Sequence, residues 1–301
     1  MATPPSPGPF EHNILRRPVP GGVAGGNALL GNQSTLGMVV FDTSGWPYLI
    51  HNAHANTNWN PSALGAPVSQ PRASIPGGTP EEVVAQIVST SPAPTTVDSD
   101  GVWVGISDLT LSRFLRREDA SPEILGLGTP SGRWRDPTTL NVGERVWKSG
   151  RRTGVTTGTI RALNQTVDSV EDPFVRYRDR PLRYTGAITL QNDLEQWLFY
   201  SGDSGAVYFD RNMDLVGVSL GAGILTGEDR TNPDNVINTM QPTTWLQKFL
   251  LPSGYEFPQL VVVPPDDVPP VDTAPSQLTA GVLIAAVIGV LVLLGNVKGE
   301  S

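Results

Sequence analysis

Between residues 20 and 258 the chain is divided into many short apolar runs, and this division limits what it can fold into. Each run is bounded by Gly, Asp or Pro, which mark turns. The 32 Gly and 28 Pro residues disfavour long helices, whereas the frequent Val and Thr favour strands. The runs that predict strands are residues 36–41, 47–50, 83–88, 102–106, 142–148, 158–163, 187–190, 206–209 and 215–220.

One late segment differs from these runs and predicts a helix at residues 242–251. It begins with a proline, and its apolar residues recur at helical spacing on one face, namely Trp245, Leu246, Phe249 and Leu250. We therefore expect an all-β domain over residues 20–258 that ends in a helix, preceded by a flexible arm at residues 1–19.

The C-terminal region has a different composition. Residues 278–295 carry no charge, and this run approaches the roughly 20 residues that a helix needs to cross a bilayer. A soluble helix keeps a polar stripe, which this run lacks, so we predict a transmembrane helix at residues 277–297 and a single-pass membrane protein. The Pro-rich residues 259–276 predict an extended linker. The single Lys298 after the run assigns no side of the membrane.

Charge and residue counts exclude several classes of function. The net charge of −8 and the isoelectric point near 4.9 argue against nucleic acid as a partner. The absence of cysteine excludes disulfides and thiolate metal sites. No H-E-x-x-H or H-x-x-x-H spacing occurs, and His51 and His54 lack a suitably spaced third ligand. We therefore expect no metal site and no cofactor.

The stretch "FYSGDSGAVYF" places Ser204 in a Gly-Asp-Ser-Gly turn, which fits either a structural turn or a nucleophile. A nucleophilic serine needs a base, normally an imidazole held by a carboxylate. Of the three histidines, His12 lies in the Pro-rich arm and His51 lies within a predicted strand. His54 follows that strand among small residues, so it is the candidate base. No histidine follows Ser204, which excludes the residue order of the α/β-hydrolases.

Three blocks of sequence resemble one known family. "NAHA" around His54 and "SGDSGAV" around Ser204 resemble the histidine and nucleophile turns of trypsin-like (chymotrypsin-fold) serine proteases. Residues 143–160, "GERVWKSGRRTGVTTGTI", resemble the K-x-G-R-T-T-G segment of the bacterial branch of that family. The resemblance covers roughly residues 17–250 and implies a double six-stranded β-barrel of trypsin-like type.

In such proteases an aspartate between the histidine and the serine completes a triad, and two candidates compete here. Asp98 matches a frequent Val-Asp dipeptide of the family. Asp100 directly precedes the apolar run at residues 102–106, as in the D-[IA]-A-L pattern of the family. We favour Asp100 as the partner of His54 and keep Asp98 as the alternative.

The resemblance also implies supporting roles around Ser204. The backbone amides of Gly202 and Ser204 would form an oxyanion hole. Asp203 would pair with a buried cation, and Lys148 occupies the place of that basic residue in the bacterial relatives. A Lys148–Asp203 ion pair would then fix the oxyanion turn without proteolytic activation.

The run at residues 216–225, "VGVSLGAGIL", resembles the family strand that lines the primary pocket. Ser219 and Gly221 occupy its S-x-G positions and would bind the substrate backbone. Together these features predict a serine endopeptidase, a hydrolase that acts on proteins or peptides through a Ser-His-Asp triad and an acyl-enzyme intermediate.

An alternative from another class is a catalytically inactive trypsin-fold module that binds peptides or has a structural role. Such a module would tolerate the loss of the histidine, aspartate or serine. Candidates for all three are present in the chain, which favours the endopeptidase.

Overall fold

The fold is described from a computed structural model, which covers residues 10–30, 33–71, 82–169, 182–192, 198–225 and 237–257. These residues belong to one unit, Met1–Pro269. The predicted linker at residues 259–276 and the predicted transmembrane helix at residues 277–297 lie outside the described residues. Within the described ranges, no helix is long and apolar enough to cross a membrane.

Short strands make up most of the described chain. In chain order they are β1 (Val19–Gly21), β2 (Val23–Asn27), β3 (Ser34–Leu36), β4 (Met38–Phe41), β5 (Pro47–His51), β6 (Pro67–Ser69), β7 (Val83–Thr90), β8 (Trp103–Val104), β9 (Thr110–Phe114), β10 (Ala120–Ile124), β11 (Arg145–Gly150), β12 (Gly154–Ser169), β13 (Leu182–Asn192), β14 (Val207–Phe209), β15 (Leu215–Leu225) and β16 (Ile237–Pro242). The α-helices are α1 (Ala53–Asn56) and α2 (Thr243–Leu250).

The first half of the chain forms one antiparallel sheet in the order β3-β2-β6-β7-β9-β5-β4. Its two edge strands, β3 and β4, are separated in the chain only by Gly37, whose amide donates to the carbonyl of Ile50 at 3.0 Å. The edges of the sheet therefore meet, and the sheet is barrel-like. Closure of this kind leaves few unpaired backbone groups at an edge.

The second half forms a ring in which β12 pairs with β11, β11 with β14, β14 with β15, β15 with β16, β16 with β13, and β13 again with β12. These six strands close an antiparallel barrel. Strand β8, from the first half of the chain, is added in parallel to β13. The predicted β-rich architecture with two barrel-like sheets is confirmed.

Buried apolar side chains fill the two barrels and the space between them. The first barrel encloses Leu36, Leu49, Val68, Val84 and Phe114. The second encloses Val146, Ile160, Ile188, Leu190 and Val216. A third cluster joins both sheets to α2 and includes Ile50, Leu111, Val207, Phe209, Leu246 and Phe249. Because burial of each such side chain is worth about 1.5–3 kcal/mol, the third cluster holds the two barrels together.

Several strands and one arm differ from the sequence prediction. The run at residues 102–106 contributes only the two residues of β8, whereas β1, β2, β6, β9, β10 and β16 were not predicted. Residues 1–9 of the predicted flexible arm lie outside the described residues, but His12 in the same arm is buried. The described fold therefore begins well before residue 20. Helix α2 confirms the predicted C-terminal helix almost to the residue.

Candidate active site

His54 lies at the mouth of the first barrel because β5 ends at His51 and the chain then turns through α1. The His54 side chain is 3% exposed, and its Nε2 atom lies 2.9 Å from the hydroxyl oxygen of Ser204. A distance of this length is that of a hydrogen bond. The structure therefore brings together the two predicted residues, which are far apart in sequence.

Ser204 is held in a tight turn that only glycines allow. Gly202 and Gly205 have φ values of +103° and +96°, a region that favours glycine. A β-carbon on Gly205 would overlap the carbonyl oxygen of Thr35. The carbonyl of Ser204 accepts a hydrogen bond from the amide of Thr35 at 2.8 Å, so β3 of the first barrel fixes the turn of the second.

The carboxylate that contacts His54 belongs to Asp108. Its Oδ2 lies 2.5 Å from His54 Nδ1, and its Oδ1 accepts the backbone N–H of His54 at 2.8 Å. Asp108 is fully buried. Strand register explains this meeting, because His51 on β5 is paired with Thr110 on antiparallel β9. His54 is three residues after His51 and Asp108 is two residues before Thr110, so both lie beyond the same end of this antiparallel pair.

The prediction of Asp100 is therefore wrong, and so is the alternative, Asp98. Both carboxylates bind the guanidinium of Arg183, at 2.8 Å and 2.6 Å, and the side chain of Asp100 is 61% exposed. Backbone hydrogen bonds, first that from Val102, lower the pKa of Asp98. The hydrogen bonds that Arg183 donates to Asp168 and Asp100 raise the pKa of Arg183.

This acidic group encloses an arginine rather than a metal ion. Arg183 also donates to Asp168, at 2.7 Å and 3.0 Å. Across the described ranges, no group of three or more His, Asp or Glu side chains could hold a metal ion.

A sequence signal for Asp108 existed but was obscured. Asp108-Leu109-Thr110-Leu111 matches the D-[IA]-A-L pattern at its first and last positions, and Asp108 lies just before β9. β9 has no apolar alternation that would predict a strand, because a polar residue, Ser112, lies inside the barrel. The hydroxyl of Ser112 is 2.7 Å from Nε2 of the buried His51. Burial lowers the pKa of His51 to about 4. Only the folded structure shows that these polar residues pair with each other.

The predicted ion pair behind the serine turn is present. Lys148 Nζ lies 3.2 Å from Asp203 Oδ2, and both side chains are completely buried. Lys148 also donates to the hydroxyl of Thr153 at 2.6 Å. Asp203 accepts further hydrogen bonds from the amides of Arg152 and Tyr200. Burial lowers the pKa of Lys148, and the charge of Asp203 opposes this effect.

The N-terminal segment lies against the same region, which the sequence did not predict. Nε2 of His12 is 3.0 Å from the hydroxyl of Ser149, the residue next to Lys148, and Asn13 donates to the carbonyl of Arg151 at 3.0 Å. Burial lowers the pKa of His12, against the raising effect of Asp203. A short apolar-poor segment of this kind has no periodicity that would mark it as packed.

The predicted oxyanion residues belong to the turn that holds Ser204, and the predicted substrate residues lie on β15. The carbonyl of Gly202 accepts the hydroxyl of Thr35 at 3.0 Å, which orients that peptide. The amides of Gly202 and Ser204 have no acceptor within the described part of the chain. Ser219 is buried on β15, and its amide donates to the carbonyl of Ala206 at 2.8 Å. Gly221, two residues on, has a φ of +122°.

Comparison with known proteins gives a match in structure but not in sequence. No protein-family model and no curated protein matches the chain. Among solved structures, Protease A of Thermobifida fusca is 20% identical, with 79% of this chain and 97% of that chain covered and a TM-score of 0.47. A glutamic acid specific serine protease is 22% identical, with 76% and 96% covered and a TM-score of 0.48.

A Nocardiopsis protease is 20% identical, with 77% of this chain and 96% of that chain covered and a TM-score of 0.46. The chain resembles chymotrypsin-fold bacterial serine proteases. The three sequence blocks predicted a resemblance to proteases of this kind.

Proposed function

We propose that the chain is a serine endopeptidase that hydrolyses peptide bonds through Ser204, His54 and Asp108. One observation carries the proposal, namely that both nitrogens of the His54 ring are engaged, Nε2 with the Ser204 hydroxyl at 2.9 Å and Nδ1 with the Asp108 carboxylate at 2.5 Å. A carboxylate on Nδ1 fixes the tautomer in which Nε2 accepts a proton.

The proposed reaction has two proton-transfer stages. Ser204 Oγ attacks the substrate carbonyl carbon while His54 Nε2 takes the hydroxyl proton, and Asp108 stabilises the resulting imidazolium. The C–N bond then breaks, and His54 returns the proton to the leaving amine. Water attacks the acyl-enzyme in the same manner, with His54 again as the base, and releases the acid and free Ser204.

Stabilisation of the tetrahedral intermediate is assigned to the amides of Gly202 and Ser204. Each donor in such a hole is typically worth about 10²–10³ in rate. The buried Lys148–Asp203 pair supports this role, because it holds the intervening residue in place and is formed entirely within the chain. No cleavage of the chain is needed to create the cation.

The substrates proposed are proteins or peptides. β15, which carries Ser219 and Gly221, is a strand beside Ser204 onto which an extended peptide could be added by backbone hydrogen bonds. In this arrangement Ser219 and Gly221 bind the substrate backbone.

We further propose that residues 277–297 anchor the enzyme in a membrane and that residues 259–276 form the spacer. The uncharged run at residues 278–295 supports this. Substituting Ile284 and Ile288 together by Arg should release the full chain from membranes in a carbonate extraction, since each buried charge costs about 2.5–3.5 kcal/mol. Asn296→Arg, beyond the run, should leave the chain membrane-bound. Extraction of the unsubstituted chain would refute the anchor.

The enzymatic proposal is tested with a fluorophosphonate probe, which phosphonylates activated serines. The full chain should be labelled and should cleave members of a peptide library, whereas Ser204→Ala should do neither. Ser201→Ala, an exposed serine in the same turn, should still be labelled. Equal labelling of the wild type and Ser204→Ala, or labelling of neither, would show that the chain is not a serine hydrolase.

A further inference from the structure

Asn52 lies between β5 and His54 and is fully buried. Its side-chain nitrogen is 2.7 Å from Asp108 Oδ2, 3.0 Å from the Asp108 carbonyl oxygen and 3.0 Å from the Ser219 carbonyl oxygen. All three neighbours are acceptors. The amide must therefore present its N–H groups to them, because the reversed orientation would place its oxygen against three other oxygens.

This amide completes the hydrogen bonding of the Asp108 carboxylate. Oδ1 accepts the backbone N–H of His54, and Oδ2 accepts from both His54 Nδ1 and Asn52 Nδ2. The hydroxyl of Ser219, in contrast, is buried with no hydrogen-bond partner among the described residues. The second hydrogen bond to Asp108 Oδ2 thus comes from the neutral amide of Asn52, and the hydroxyl of Ser219 does not supply it.

The backbone of Asp108 is fixed separately by the second barrel. The side chain of Gln241 on β16 accepts the amide of Asp108 at 2.7 Å and donates to its carbonyl at 3.0 Å. The rotation of the carboxylate about its side-chain torsions is restrained by His54 and by the Asn52 amide at Oδ2.

We propose that Asn52 is a positioning residue that holds Asp108 Oδ2 against His54 Nδ1 and ties both to β15 through the Ser219 carbonyl. This inference rests on the proposed function, since the role matters only if His54 transfers protons. Hydrogen bonds to charged groups are among the stronger ones in proteins, so loss of this donor should lower reactivity about 10- to 100-fold.

The first test measures the second-order rate of fluorophosphonate labelling of the full chain. Asn52→Leu, which keeps the volume without a donor, and Asn52→Ser, whose hydroxyl is too short to reach Oδ2, should both be labelled about 10- to 100-fold more slowly. Asn27→Ala is the matched control, because Asn27 is a buried asparagine of β2 that bonds to Asn56 and Leu29. It should lose stability and keep the wild-type labelling rate.

A second measurement needs no activity. In the ¹⁵N-histidine-labelled chain, the Nδ1–H proton of His54 should give a far-downfield NMR signal, assigned by its loss in His54→Ala. The signal should shift or broaden in Asn52→Ser but stay unchanged in Asn27→Ala. Folded Asn52→Ser with the wild-type signal and labelling rate would overturn the positioning role. An unlabelled wild type whose signal still depends on Asn52 would instead refute the proposed function and leave the positioning role standing.

Discussion

Two buried aspartates flank the His54–Ser204 pair, and their surroundings differ. Asp203 and Asp108 are both completely inaccessible to solvent. Asp203 faces the ammonium of Lys148 and accepts several further hydrogen bonds. Within the described part of the chain, Asp108 pairs with no Lys or Arg, and its donors are neutral N–H groups and the imidazole of His54.

The difference separates a carboxylate that is paired with a cation from the one to which the proposed mechanism gives a role in catalysis. A buried carboxylate is costly unless it is paired and hydrogen-bonded. The charge of Asp203 is balanced permanently, so the turn before Ser204 is fixed. The charge of Asp108 is only partly satisfied by neutral donors, and the remaining attraction acts on the one neighbour that can become a cation, His54.

The largest expected effect concerns Asp108. Asp108→Asn should lower the labelling rate and peptidase activity by about 10⁴-fold, because an amide no longer selects the productive tautomer of His54. Asp98→Asn and Asp100→Asn, whose carboxylates lie on Arg183, are the matched controls and should stay near the wild-type rate. Activity that survives in Asp108→Asn and is lost in Asp100→Asn would reverse the assignment.

Removal of the cation beside Asp203 should mainly affect stability. Lys148→Met leaves a buried carboxylate without a counter-charge and should lower the free energy of unfolding by about 3–5 kcal/mol, measured by denaturant titration. Adding Asp203→Asn should recover part of the loss. Lys248→Met, on the exposed face of α2, should have no effect. A Lys148→Met variant with unchanged stability and activity would remove the contrast between the two aspartates.

Because His51, which lies near Asp108, is buried and neutral, we expect the free energy of unfolding to decrease at acidic pH. Its pKa is about 4 in the folded chain because of burial, against 6.5 when exposed. As the pH falls, His51 is therefore protonated in the unfolded chain before it is protonated in the folded chain. The free energy of unfolding decreases by about 3 kcal/mol in total between pH 6.5 and pH 4. His51→Gln, which cannot be protonated, should show a shallower fall in denaturant titrations. Parallel curves for both proteins would contradict a buried neutral imidazole.

A smaller effect is expected from the N-terminal segment on the Asp203 side. His12→Ala removes the hydrogen bond to Ser149 and should lower the free energy of unfolding by about 1 kcal/mol. Glu11→Ala, at an exposed neighbour, should not change it. If thermal denaturation gives the same midpoint for His12→Ala and Glu11→Ala, the segment contributes nothing to this region.

Local sequence was enough to predict much of the fold and half of the site. The alternation of short apolar runs with glycine and proline predicted the β-rich halves, and the pattern of Trp245, Leu246, Phe249 and Leu250 predicted α2. The same reasoning did not predict β9, because Thr110 and Ser112 are polar residues that point into a barrel and form hydrogen bonds there with other polar groups.

The sequence by itself determined Ser204, His54 and the Lys148–Asp203 pair, because each lies in a short turn or strand whose residues carry a recognisable pattern. Only the tertiary structure decided which aspartate meets His54. Asp108 meets His54 because β5 pairs with β9, a contact between segments far apart in the chain. Asp98 and Asp100 are bound by Arg183 instead. A charged side chain interacts with the groups that are nearest to it in space. Because a barrel brings distant segments together, the number of residues between His54 and an aspartate does not predict the distance between their side chains.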